Sequence, residues 1–337
     1  MANLSVKYLG MDLKNPIIAG ACNLGKDFDN IKKIEDAGAS AIVYKSLFEE
    51  QIQLESLQME ENLREYENRN AEMTSLFPDM IHAGPEEHLN NLRRAKETVK
   101  IPVIASLNAV YSETWVEYAQ LIEQTGVNGI ELNLYATPKD VEKDETSILK
   151  EQLEIIYKVK KSITIPVSVK LSPFYSNMLN VVNRMYSEGA DGFVLFNSLF
   201  QPDIDINKEA LHFPYRLSSS EENRLPLRYA GLLYGNFKGS ICSNTGIMTG
   251  EDVIKMILAG ADCVQVVSTL YKNGIGHIDK MLKDLDFWMD SKNYHVVSDF
   301  KGKLSRTHLK DPYAYRRAQY VDIIMKSDEI FKLYPMR

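Results

Sequence analysis

A chain of 337 residues, 45% hydrophobic and 25% charged, is long enough for one large α/β barrel or two smaller domains. Its 39 basic and 46 acidic side chains leave a net charge of −7, which argues against the basic stripe of a nucleic-acid surface. No apolar run reaches the roughly eighteen residues of a membrane span, and Met1-Ala2-Asn3-Leu4-Ser5-Val6-Lys7 lacks the apolar core of a signal peptide, so a cytoplasmic protein without membrane attachment is expected.

Short apolar runs then follow one another, several ending in a polar residue. In chain order they are Pro16-Ile17-Ile18-Ala19-Gly20, Ala41-Ile42-Val43-Tyr44-Lys45-Ser46, Val103-Ile104-Ala105-Ser106-Leu107-Asn108 and Gly129-Ile130-Glu131-Leu132-Asn133. Val167-Ser168-Val169-Lys170, Phe193-Val194-Leu195-Phe196-Asn197 and Ser240-Ile241-Cys242-Ser243 continue the series, and the run opened by Cys263 closes it. Unbroken apolar runs of this length are what parallel strands buried on both faces require. Glycines stop the preceding helices at Ala37-Gly38-Ala39, Thr125-Gly126-Val127, Glu188-Gly189-Ala190 and Ala259-Gly260-Ala261, because glycine takes the left-handed conformation that ends a helix. Ile101-Pro102 and Ile165-Pro166 lead into the third and fifth strands, where proline is tolerated. Helical periodicity fills the gaps, as in Ile148, Leu149, Leu153, Ile156, Val159 and in Val253, Ile254, Met256, Ile257.

Eight β/α units predict a (β/α)8 TIM barrel, a fold that gathers its chemistry at the C-terminal ends of the strands. No G-x-G-x-x-G follows the first strand, which opposes a dinucleotide-binding open sheet. Two connections are long. The one after the second strand, residues 47–100, carries eight acids against Arg64 and Arg69 within residues 48–72, and reads as a solvated amphipathic helix or as a partner-binding one. The one after the sixth, residues 198–238, is rich in Pro, Tyr and Arg and suits a substrate lid. The expected organisation is a barrel over residues 1–291 and a tail over 292–337, whose helix at 313–330 packs on the barrel or on a second subunit.

Cys22, Cys242 and Cys263 are too far apart and odd in number for a disulfide framework or a metal site, and Cys263 reads as a buried small hydrophobe. His82, His88, His212 and His277 show no metal spacing and read as surface or loop residues. Asn244-Thr245-Gly246 after the seventh strand and Ser268-Thr269 after the eighth have the makings of a phosphate site, since loops there supply backbone N–H groups and a helix N-terminus. Gly246 lets the backbone approach and the hydroxyls add donors.

Taken together, Asn15-Pro16-Ile17-Ile18-Ala19-Gly20, Tyr44-Lys45-Ser46, Glu131-Leu132-Asn133-Leu134 and Val169-Lys170-Leu171-Ser172-Pro173 resemble the flavin-dependent dihydroorotate dehydrogenase family, in its soluble, class 1-like form. Phe196-Asn197-Ser198, Asn244-Thr245-Gly246-Ile247 and Gly260-Ala261-Asp262-Cys263-Val264-Gln265-Val266 complete the match. The resemblance implies FMN, with its phosphate at Asn244, Thr245, Gly246, Ser268 and Thr269 and its ring along Gly20 and Ala21. Lys45 and Ser46 would border flavin and substrate, Asn108 and Asn133 would bond the ring system, and Lys170 would stand at its pyrimidine edge. A fixed cation there stabilises an anionic reduced flavin. Lys45, Asn133, Asn197 and Ser198 would hold the substrate, asparagine offering both donors and an acceptor.

The implied activity is an oxidoreductase acting on CH–CH bonds in pyrimidine biosynthesis. Hydride passes from substrate C6 to flavin N5 while a loop base takes the C5 proton, with dihydroorotate or a related small cyclic molecule as substrate. The family's base is a cysteine or serine after the fourth strand. Here the loop reads Asn133-Leu134-Tyr135-Ala136-Thr137-Pro138-Lys139, one residue longer and without cysteine. Thr137 is the stand-in, as a base helped by Lys139 or Tyr135, or as a turn-forming hydroxyl before Pro138. An alkyl hydroxyl releases its proton far less readily than a thiol of pKa near 8.5, hence the need for help. Glu72-Met73-Thr74-Ser75-Leu76-Phe77-Pro78-Asp79 also departs from the family's pattern. The alternatives are a flavin-binding barrel without dihydroorotate turnover, serving as sensor or assembly partner, and a flavin-free barrel acting on a phosphorylated substrate. A homodimer is implied by the resemblance alone. Iron–sulfur chemistry would need a separate electron-transfer subunit, and a first strand starting by residue 16 disfavours a quinone acceptor.

Overall fold

Tyr8 and Met11 face each other across a two-residue turn at Leu9-Gly10, both with positive φ (50° and 78°). This tight turn joins β1 (Val6–Tyr8) to β2 (Met11–Leu13) as an antiparallel hairpin. The structure, a computed structural model, describes residues 2–49, 52, 85–134, 141–198, 202–212, 214, 216–311, 313–316, 318–325 and 332.

Behind the hairpin, β3 (Ile17–Ala19), β4 (Ala41–Phe48), β5 (Val103–Asn108), β6 (Gly129–Asn133), β7 (Val167–Leu171) and β8 (Gly192–Leu195) pair in succession. A small antiparallel ribbon, β9 (Asp203–Asp205) with β10 (Ala210–His212), stands outside the ring. The ring is then completed by β11 (Ser240–Ser243) and β12 (Cys263–Val266), which returns to β3. All the ring pairs are parallel, so the expected TIM barrel is what forms.

Each strand is followed by a helix on the outside: α1 (Phe28–Asp36), α2 (Glu86–Thr98), α3 (Ser112–Glu123), α4 (Glu145–Ser162), α5 (Met178–Ser187), α6 (Arg224–Leu233), α7 (Gly250–Ala259) and, after β12, α8 (Ser268–Asn273) and α9 (His277–Ser291). Side-chain caps start several of them: Asp27 accepts from Asp29 N, Asp144 from Ser147 N, Asn177 from Asn180 N and Thr249 from Asp252 N. The four helix-stopping glycines sit at φ between 82° and 131°, as their role demands.

Side chains alternate across each strand, so every second residue points into the barrel. One apolar cluster joins Ile18, Ala41, Val43, Ile104, Val194, Cys242 and Cys263 to Tyr8, Leu9 and Leu13. That cluster is the barrel interior, with the hairpin as its plug. Two residues further along the same inward register come Gly20, Lys45, Ser106 and Gln265, joined by Glu131 and Lys170. The interior therefore turns from apolar to polar toward the strands' C-terminal ends. A shift of register between Tyr44 and Leu47 in β4 falls at Lys45 and Ser46, a local irregularity of the kind that re-aims side chains beside sites.

Three expectations need amendment. The connection after the sixth strand, read as one long loop to residue 238, contains the β9–β10 ribbon and α6; Pro226 in α6 mimics a loop signal but sits in the first turn, where proline is compatible with a helix. Likewise the segment after the second strand contains α2, while residues 50–51 and 53–84 lie outside the described residues. His88 is no surface residue: it is half-buried in α2, its ring edge-on to Tyr44 at 5.4 Å. Cys263 is fully buried, beside Cys242 in register on the neighbouring strand. Beyond α9, Gly302 N and Leu304 N donate to carbonyls of Ile257 and Leu258, and Phe300 is fully buried against the barrel helices. A 3-10 turn (Tyr313–Tyr315) and α10 (Ala318–Met325) follow; residues 326–330 of the expected tail helix lie outside the described residues.

Candidate functional site

Buried polar residues inside an apolar barrel need partners, and those of the upper layer find them in one another. Lys170 on β7 places Nζ 2.7 Å from a carboxylate oxygen of Glu131 on β6. The other carboxylate oxygen accepts from Nε2 of Gln265 on β12. That bond fixes the amide's orientation and leaves Gln265 Oε1 buried with no hydrogen-bond partner. Next to it, Gly20 has no room for a side chain: a Cβ would lie 2.8 Å from Val267 Cγ2 and 3.3 Å from Gln265 Oε1.

Above this layer a cavity of about 290 Å³ opens at the C-terminal end of the barrel. Lys45, Lys170 and Arg216 contribute cations to its wall, and no carboxylate lines it among the described residues. At one part of the wall Asn197 Nδ2 donates to Asn133 Oδ1 at 3.0 Å. Ser46 pairs its hydroxyl with that of Ser106 at 2.6 Å.

Elsewhere the wall is made by the loops after β11 and β12. Gly246 has φ of 73°, and a Cβ there would stand 2.5 Å from Asn223 N and 2.7 Å from Ser219 O, so only glycine fits. Ser218 ties these loops together: its N–H and hydroxyl donate to Ser268 Oγ at 3.0 and 2.8 Å, and its oxygen accepts from Gly246 N at 3.2 Å. The side chains of Asn244 and Thr245 both donate to Phe196 O, at 3.1 Å each.

Cys22 also lines the cavity. Burial pushes its thiol pKa up, and the charge of Lys170 offsets this only slightly, so the thiol stays protonated at neutral pH. On α2 behind Lys45, burial and the lysine's charge lower the pKa of His88 to about 4.

The structure thus gathers Ala21, Lys45, Ser46, Asn133, Lys170, Asn197, Ser198, Asn244, Thr245, Gly246 and Ser268 at one cavity, with Gly20 adjoining. Thr269 stands apart: it is fully buried and its hydroxyl donates to Met248 O at 3.0 Å. Asn108, at the end of β5 opposite Phe48, is not among the lining residues either. Thr137 lies outside the described residues. Sequence reasoning passed over Glu131, Gln265, Arg216 and Ser218. For the first two a signal existed, a charged or amide side chain inside an otherwise apolar strand; for Arg216 and Ser218 it was no finer than the long Arg-rich connection that carries them.

A larger cavity, about 820 Å³, lies at the opposite end of the barrel between Lys7, Lys238 and Lys301. Its two acids are engaged internally, Asp191 with Lys160 and Asp262 with Lys301. Barrel chemistry belongs to the strands' C-terminal face, so the smaller cavity is the candidate site.

A family model described as Dihydroorotate dehydrogenase matches residues 77–289. The catalytic subunit of dihydroorotate dehydrogenase B (NAD(+)) from Thermoplasma acidophilum is 28% identical, across 90% of this chain and 99% of its own length. The protein of the same description from Methanocaldococcus jannaschii is 24% identical over 86% of this chain and 94% of its own. The chloroplastic dihydropyrimidine dehydrogenase (NADP(+)) of Arabidopsis thaliana is 21% identical over 89% of this chain and 76% of its own. The dihydroorotate dehydrogenases are flavin-dependent oxidoreductases acting on CH–CH bonds. The chain belongs to the dihydroorotate dehydrogenase family.

Proposed function

We propose that the chain holds FMN in the C-terminal cavity and oxidises dihydroorotate, or a closely related small cyclic molecule, in pyrimidine biosynthesis. The observation that carries this is one cavity with a glycine cradle at Gly246 and a bonded asparagine pair at Asn133 and Asn197, lined by cations and by no carboxylate among the described residues. The residues fit the cofactor. The cradle suits a phosphate, and the buried, partnerless Gln265 Oε1 asks for a hydrogen-bond donor, which the N–H of an oxidised flavin ring would supply. When bound, FMN supplies the two-electron acceptor that no side chain can.

The chain's own residues would bind, orient and move protons. Asn244, Thr245, Gly246 and Ser268 hold the phosphate, and Gly20 and Ala21 give the ring a flat backbone surface. Lys170, positioned by Glu131, presents a fixed positive charge. Asn133, Asn197 and Ser198 orient the substrate's polar edge, while Lys45 attracts its carboxylate. Thr137 removes the substrate proton, its hydroxyl assisted by Lys139 or Tyr135. Relatives named as catalytic subunits of NAD(+) enzymes support a separate subunit that carries electrons onward; a homodimer rests on family resemblance alone. No helix among the described residues is long and apolar enough to cross a membrane.

The test is to release the cofactor by denaturation, identify it by chromatography, and follow orotate formation from dihydroorotate with an artificial electron acceptor. FMN and orotate together support the reading. FMN without orotate, from a protein that also fails on other dihydropyrimidines, leaves a binding protein; absence of any flavin, with none taken up on reconstitution, overturns it.

A further inference from the structure

The phosphate cradle has a cation that family resemblance does not assign. Arg216 lines the cavity, and its guanidinium has no hydrogen-bond or ion-pair partner among the described residues. Two residues on, Ser218 is fastened to both phosphate loops, through Ser268 Oγ and Gly246 N. Its carbonyl is fastened too, accepting from Lys272 Nζ at 2.9 Å. Two residues of extended chain span at most about 7 Å, so Arg216 is tethered close to the cradle.

The remaining cations are elsewhere. Lys170 is on β7, two strands from β11, and is paired with Glu131. Lys45 is on β4, two strands from β12. Lys272 is committed to Ser218 O. A phosphate in the cradle would therefore meet backbone and hydroxyl donors but, among the described residues, no other cavity-lining cation than Arg216. A planar guanidinium offers a fork of N–H donors that matches phosphate oxygens, and it stays charged at any working pH.

We propose that Arg216 grips the phosphate of the bound cofactor, making the segment that carries it a clasp on FMN. The proposal rests on the FMN reading above. Arg216 is then a determinant of cofactor choice, selecting the phosphorylated flavin over riboflavin.

The test compares FMN and riboflavin binding to flavin-stripped protein by quenching of flavin fluorescence, for the parent chain, Arg216→Gln and Arg216→Lys. Arg216→Gln should weaken FMN by about tenfold or more, the scale of one charge-assisted contact at an exposed site, and leave riboflavin unchanged. Arg216→Lys should recover part of the loss, and added salt should narrow the gap between parent and Arg216→Gln. Equal weakening of FMN and riboflavin, or unchanged FMN binding with a raised KM for dihydroorotate, would overturn the proposal, the latter by placing Arg216 on the substrate. If the parent chain binds neither flavin, the FMN reading fails first, and the two failures are told apart.

Discussion

Lys170 Nζ lies 2.7 Å from Glu131, with 8% and 1% of the two side chains exposed. Their strands are neighbours, but Lys170 is in register with Asn133, so the lysine reaches back two residues to find the carboxylate. Taking either charge out of water alone would cost several kcal/mol; held together, and with Gln265 donating to the free carboxylate oxygen, both are tolerated. The pair thus delivers a positive group to the floor of the cavity at a fixed place.

Removing one partner leaves the other charged and buried. Lys170→Met should destabilise the protein by about 3–5 kcal/mol, more than Lys170→Met combined with Glu131→Gln, which removes both charges. Urea denaturation of the two single variants and the double variant checks this; additive losses would show that the pair is not coupled.

Gly246→Ala puts a Cβ 2.5 Å from Asn223 N at a φ of 73°. Strain and clash together should cost about 1–3 kcal/mol of stability and open the cradle. Thermal unfolding measures the first, and flavin content after purification the second. Gly126→Ala, with nothing within 4 Å of the added atom, should keep its flavin despite similar backbone strain.

His88 makes stability depend on pH. Its pKa is lowered from 6.5 to about 4 in the folded chain, so the unfolded chain takes up the proton first as pH falls. The stabilisation from keeping this ring neutral is present above pH 6.5 and is lost as pH drops toward 4, by about 3–4 kcal/mol at most. Denaturant midpoints at neutral and mildly acid pH test this, with His88→Phe, which keeps an aromatic edge for Tyr44, expected to flatten that part of the profile.

Thr137 carries the weight of the proposed proton transfer. Thr137→Val should slow reduction of the bound flavin by dihydroorotate about 100-fold or more while leaving flavin content intact, and Thr137→Cys should restore or exceed the parent rate near neutral pH. Rapid-mixing absorbance under anaerobic conditions reads both. A valine variant as fast as the parent would make Thr137 a turn residue.

Much of this was legible in the sequence because parallel strands declare themselves: no face is solvated, so the apolar runs are unbroken and their polar ends stand out. Lys45, Asn133 and Lys170 were found that way. The hairpin was not, although Leu9-Gly10 between two alternating triplets is a turn signal, because a three-residue strand has too few positions to show a period. Glu131 and Gln265 were passed over for a different reason. Their partners sit on other strands, far away in the chain, and only closure of the barrel brings the two together. The neighbouring hydroxyls of Ser268 and Thr269 could not be told apart before the start of α8 was known: its first turn sends Ser268 to the cavity and Thr269 to Met248 O.

Coupling of a flavin to a dihydropyrimidine acid in this cavity is read out by an anaerobic titration of the purified, flavin-loaded protein with L-dihydroorotate. The visible flavin absorbance should bleach stoichiometrically, with orotate appearing in equal amount. A flavin spectrum unchanged by excess dihydroorotate, though bleached by dithionite, would contradict it.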